Sequence, residues 1–148
     1  MSAKRQAGGA WRIPLVLLAT LLLSGCLEEI TTTRIAGGAA RNFLYYLSHD
    51  EQADANSYWA PDHAPADAAD QVKQAATTLR DYEVVITKAD MEPQPDGSVD
   101  VTVSGRAARK PATPAAAGPV IPLLSAHLIA IGPGWRVTAF TLLCCQDK

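Results

Sequence analysis

A change of hydrophobic period near residue 80 constrains this chain more than any other feature. Before it, apolar residues recur at helical spacing; after it, they alternate. Ala36, Ala40, Phe43, Leu44 and Leu47 fall at i, i+4, i+7, i+8 and i+11, which predicts a helix from Thr33 to Ser48. Gly37-Gly38 weakens its first turns by about 1 kcal/mol per glycine relative to alanine. Glu51 to Trp59 reads as a short second helix, stopped by Pro61. Ala66 to Leu79 reads as a third, with Ala68, Val72, Ala75, Ala76 and Leu79 on one face.

From Tyr82 the period is two. Tyr82, Val84 and Ile86 alternate with Glu83, Val85 and Thr87. Pro93-Gln94-Pro95-Asp96-Gly97 is a turn signal, and Val99, Val101 and Val103 then alternate with Asp100, Thr102 and Ser104. One face of this hairpin is apolar and the other can meet water. A Pro/Ala loop over Lys110 to Pro119 leads to a third strand, Val120 to Ile131, with Pro122 near its start. Gly132-Pro133-Gly134 is a tight turn, and Trp135 to Cys145 is the fourth strand. The expected fold is therefore α+β: three N-terminal helices packed on a curved four-stranded antiparallel sheet.

The first 25 residues have a different character. Lys4, Arg5 and Arg12 form a positive segment without an acid, and Ile13 to Leu23 is apolar apart from Pro14 and Thr20. As a helix that run reaches about 16 Å. This is about half of a ~30 Å hydrocarbon core, too short for a stable span. The order matches an export signal. Leu23-Ser24-Gly25-Cys26 closes it and resembles the lipobox of bacterial lipoproteins at all four positions. The resemblance implies cleavage between Gly25 and Cys26, a diacylglyceryl thioether on the Cys26 thiol, and acylation of the freed amine. One chain holds only reversibly, whereas several on one residue make a lasting anchor in the lipid bilayer. Leu27 rather than aspartate follows the cysteine, which in enteric lipoproteins implies sorting to the outer membrane. The expected organisation is a signal peptide over 1–25, a lipidated tether over 26–32 and a single domain over 33–148. Removing the three basic residues of the signal turns the net charge of −2 into about −5. A mildly acidic domain carries no electrostatic footprint for nucleic acid.

The helices-then-meander order also resembles the NTF2-like or cystatin-like α+β cone. The carriers are Phe43-Leu44-Tyr45-Tyr46-Leu47, the stretch from Ala53 to Trp59, and Gly134-Trp135-Arg136-Val137-Thr138. Enzymes of the NTF2-like group often use a His/Asp pair inside the cone for proton transfer. That resemblance draws attention to His127, which alternation places with Ser125, Ile129 and Ile131, opposite Leu124, Ala126, Leu128 and Ala130. If its face lines the cone, His127 is a catalytic candidate; otherwise it is a solvent-facing or hydrogen-bonded core histidine. Asp81, Asp90 and Asp100 lie on strands, and spacing assigns none of them as its partner.

The other histidines lack metal-ligand spacing. His49 lies beside Asp50 and Glu51, and His63 follows Asp62, where polar loop residues are expected. No metal or other cofactor is expected. Tyr45, Tyr46, Tyr58 and Trp59 can line a ligand site, but aromatics on helices that cover a sheet more often pack in the core, as expected of Trp135. Cys144 and Cys145 remain once Cys26 is acylated. A bridge between neighbours is strained, because their Cα atoms lie only about 3.8 Å apart. In a strand the two thiols point to opposite faces. One is then expected buried, and the other free or cross-linking a homodimer in an oxidising periplasm. The leading expectation is a membrane-anchored periplasmic lipoprotein, a non-catalytic module that binds an envelope protein partner or a small ligand through the sheet face or the helix–sheet cleft. The competing expectations are a small NTF2-like enzyme using His127 and an accessory lipoprotein of a secretion or envelope complex.

Overall fold

The computed structural model describes residues 35–111 and 118–146. Gly25, Cys26, the tether and the centre of the Pro/Ala loop lie outside the described residues. Residues 35–48 form helix α1. It is followed by α2 (Gln52–Asn56), α3 (Ala68–Leu79) and four strands: β1 (Tyr82–Pro93), β2 (Val99–Arg109), β3 (Ile121–Ile131) and β4 (Gly134–Leu142). The sheet is an antiparallel meander in the order β1-β2-β3-β4. The expected α+β architecture, three helices packed on a four-stranded antiparallel sheet, is what the chain adopts.

The core lies between the helices and one face of the sheet. Ala36, Ala40, Phe43, Leu44 and Leu47 of α1 are fully buried, as are Val72, Ala76 and Leu79 of α3. All of these but Ala76 pack in one cluster with Val99, Val101 and Val103 of β2, Leu124, Ala126 and Leu128 of β3, and Trp135, Val137 and Leu142 of β4. Each fully buried Leu, Val or Phe contributes about 1.5–3 kcal/mol. Phe43 meets Trp59 and Phe140 edge-on, at centroid distances of 6.2 and 5.0 Å, so the aromatic stretch after α2 packs as core. The indole Nε1 of Trp59 is buried and has no hydrogen-bond acceptor among the described residues.

Three bulges adjust which residues face the core. The first, at Thr87, lets Ile86 pair with Gly105 and Lys88 with Ser104. It resets the alternation, so that Ala89 and Met91 rejoin the inward row of Val84 and Ile86. β1 accordingly runs to Pro93 and β2 to Arg109, beyond the alternating residues quoted above. The second bulge, at Leu123, buries Leu123 and Leu124 together. The third, at Thr138, moves the inward row of β4 from Trp135 and Val137 to Phe140 and Leu142. Gly105 is required beside the first bulge: a Cβ there would collide with the Val85 carbonyl oxygen and meet Leu123 Cδ1 at 2.9 Å.

Other expected boundaries also shift. α2 stops at Asn56, not Trp59, because the backbone of residues 58–60 is bonded elsewhere. Val137 N donates to Tyr58 O at 2.7 Å and Ala60 N to Val137 O at 2.8 Å, forming a parallel bridge on the outer edge of β4. That bridge covers part of an edge otherwise open to another strand. α3 starts at Ala68 rather than Ala66, because Asp67 holds a non-helical φ of −99° and ψ of 20°. β4 ends at Leu142 rather than Cys145, which bears on both cysteines below.

Candidate functional site

His127 projects from the sheet face that the helices leave uncovered. Its strand neighbours Ala126 and Leu128 are buried in the core, so alternation turns His127 outward. Register sets it opposite Asp100 on β2 and Ala139 on β4. His127 Nδ1 lies 2.6 Å from Asp100 Oδ1, with the two side chains 36% and 47% exposed. The other oxygen, Asp100 Oδ2, accepts from Gln94 Nε2 at 2.8 Å. Of the three candidate aspartates, the fold therefore chooses Asp100; Asp81 lies in the turn before β1 rather than on a strand. The condition for a pocket histidine is not met, since the row covered by the helices is the Leu124 row. What forms is an oriented His–Asp pair on an open surface. Asp96, in the adjoining turn, accepts from Ser98 Oγ at 2.5 Å and Ser98 N at 2.9 Å. Those bonds hold its carboxyl below the usual carboxylate range, with a smaller contribution from the nearby His127.

A cleft lies on the opposite side, between α3 and the sheet. It encloses about 680 Å³. Gln71, Gln74, Thr77 and Thr78 present a polar stripe from α3, while Phe140 and Leu142 of β4 form an apolar wall. Asp81 is the one carboxylate in the lining, to which Cys145 also belongs. The two threonine hydroxyls bond back to the Lys73 and Gln74 carbonyls at 2.8 and 3.0 Å. The polar donors facing a guest are therefore mainly the amides. Such a lining suits a small neutral or cationic molecule with one apolar side.

A smaller cleft of about 350 Å³ is built from charged groups, among them His49, Asp50, Arg80, Glu83 and Lys110. Arg80 holds Asp50 at 3.0 Å. The Asp50 carboxyl is lowered by its hydrogen bonds from Gln52 and then Arg80. His49 stacks on Tyr45 at 4.0 Å and bonds the Tyr45 carbonyl, so it is occupied locally. His63 is exposed in the turn before α3. Among the described residues no group of three or more His, Cys, Asp or Glu side chains is arranged to hold a metal ion.

The cysteines depart from expectation. Beyond Leu142 the chain leaves the ladder, and Cys145 takes a φ of 65°. Cys144 is buried and Cys145 half-buried, but their thiols do not point to opposite faces. Cys145 Sγ lies 2.6 Å from Cys144 Sγ. The opposite-face expectation assumed an extended backbone, and the left-handed residue removes that premise.

The helix–sheet cleft was one of the two binding places the sequence suggested, but its lining was not identified, although the polar stripe is visible at helical spacing in Gln71, Gln74 and Thr78. Asp100 was visible only as one strand aspartate among several, because register is not a local property. No family model, curated protein or solved structure matches the chain.

Proposed function

We propose that this chain is a membrane-anchored lipoprotein of the bacterial envelope, whose domain binds a small ligand or partner segment in the cleft between α3 and the sheet. The observation that carries the reading is Leu23-Ser24-Gly25-Cys26, placed after a basic and then an apolar segment. Acyl chains on Cys26 hold the protein in the outer membrane, facing the periplasm. The tether of residues 26–32 then leads directly into the helical domain. Among the described residues no helix is long and apolar enough to cross a membrane. The polar stripe and apolar wall of the cleft support binding. The test is mass spectrometry of the membrane fraction, with acyl chains expected on Cys26. Cys26→Ser should release or mislocalise the protein; an equally membrane-bound variant would sink the reading.

A second reading is favoured by the 2.6 Å contact between His127 and Asp100. An aspartate on Nδ1 fixes the ring and leaves Nε2 directed away, as a general base requires. The order of helices and meander supports a relationship to NTF2-like or cystatin-like proteins. Neither His127 nor Asp100 lines either of the clefts described above, so the binding reading stands first. Unchanged ligand binding in His127→Ala favours the module; lost turnover with the fold intact favours the enzyme.

A further inference from the structure

Neither reading uses the adjacent cysteines, although their surroundings are specific. Leu143 N donates to Leu123 O at 2.9 Å, and Gln146 Nε2 returns to Leu142 O at 2.8 Å. The turn at Cys145 between these bonds brings both sulfurs to one side. Their 2.6 Å separation is about half an ångström longer than a ~2.05 Å disulfide bond. Cys145 also lines the α3–sheet cleft, whereas Cys144 is buried in the core cluster behind it.

We propose that Cys144 and Cys145 form a redox-active vicinal pair, which closes to an intramolecular disulfide by exchange with disulfides that enter the cleft. The Cys145 thiolate attacks a disulfide RSSR, forming a Cys145–SR bond and releasing RS⁻. The Cys144 thiolate then attacks Cys145 Sγ, closing the vicinal bond and releasing the second RS⁻. Two electrons pass from the pair to the oxidant, and the two cysteine protons end on the two released thiols. Reduction reverses these steps, with the incoming thiolate meeting Cys145 because that residue lines the cleft.

One physical point supports reversibility. Neighbouring Cα atoms lie about 3.8 Å apart, whereas ordinary disulfides span roughly 4.4–6.8 Å, so the closed form is strained and easily reduced. The contact with Cys144 pushes the Cys145 thiol up, so the first attack should speed as pH rises. The oxidising compartment rests on the lipoprotein reading; the exchange chemistry does not.

The test uses the full reduced chain in mixtures of oxidised and reduced glutathione, followed by alkylation and mass spectrometry. The readout is the peptide carrying both residues, so Cys26 does not enter it. As oxidised glutathione rises, both thiols should be lost together, the peptide should become about 2 Da lighter, and dithiothreitol should restore both. The protein should stay monomeric. Full alkylation of both thiols at the most oxidising mixture, or a disulfide-linked dimer as the main product, overturns the proposal. Cys144→Ser should stop at a glutathione adduct on Cys145. Cys145→Ser should form its adduct about ten-fold more slowly, because the remaining thiol is buried. Equal rates in the two variants overturn the division of roles.

Discussion

The two faces of the sheet make different use of neighbouring residues. On the covered face, Leu124, Ala126 and Leu128 are buried in one cluster with the helices. On the open face, the residues between them, Ser125 and His127, stay partly exposed, and His127 pairs with Asp100. The covered face has the stronger packing and borders the larger cleft. The open face has the better-oriented titratable pair, but that pair lines neither cleft. Orientation alone does not make a catalytic site: a general base acts on a substrate held in place, and water screens an exposed pair. The contrast therefore favours the cleft as the place where a ligand binds.

Adjacent residues on β3 test this contrast most sharply. Leu128→Ala on the covered face removes a fully buried side chain and should cost about 2–5 kcal/mol, read from urea unfolding at constant slope. A loss under about 1 kcal/mol would mean that the helices do not pack on that row. Gly105→Ala comes next. Its new methyl meets backbone at the bulge, and the expected loss is about 1–3 kcal/mol, read as a fall in the unfolding midpoint. No loss would show that the close approach of β1 is absent.

His127→Ala, one residue from Leu128, should change stability by about 1 kcal/mol or less, because the pair it breaks is solvent-exposed. A loss as large as that of Leu128→Ala would reverse the assignment of the faces. The smallest expected effect is at acid pH. The Asp96 and Asp50 carboxyls are held below their ordinary range when folded. Their contribution is complete above the unfolded carboxylate value and is lost as pH falls through the folded one, below about pH 4. Thermal melts from pH 6 to pH 3 should show that decline. Ser98→Ala, which removes the main hydrogen-bond donor to Asp96, should make it shallower.

Much of the fold was legible because periodicity is local. The spacing of Ala36, Ala40, Phe43 and Leu47 needs no knowledge of what α1 packs against, and the valines of β2 declare their face unaided. The ends of elements were less legible. α2 ends where β4 claims the backbone of residues 58–60, and β1 continues past Thr87 because a bulge restores its inward row. Both depend on strands distant in sequence. The candidate site was legible only in its parts. His127 was visible on the polar phase of β3, but Asp100 became its partner through the pairing of β2 with β3.

By itself, the sequence determined the α+β class, the order of helices before strands, the apolar rows, and the lipobox on which the anchored reading rests. Each is a pattern of spacing or a short contiguous motif, so it survives without three-dimensional context. Only the tertiary structure decided that the Leu124 row is covered, that Gln71, Gln74 and Thr78 border a cleft, and that Cys144 and Cys145 converge. Those outcomes depend on register shifts and on one left-handed residue at Cys145. A single such change redirects a side chain while leaving the local hydrophobic pattern nearly unaltered.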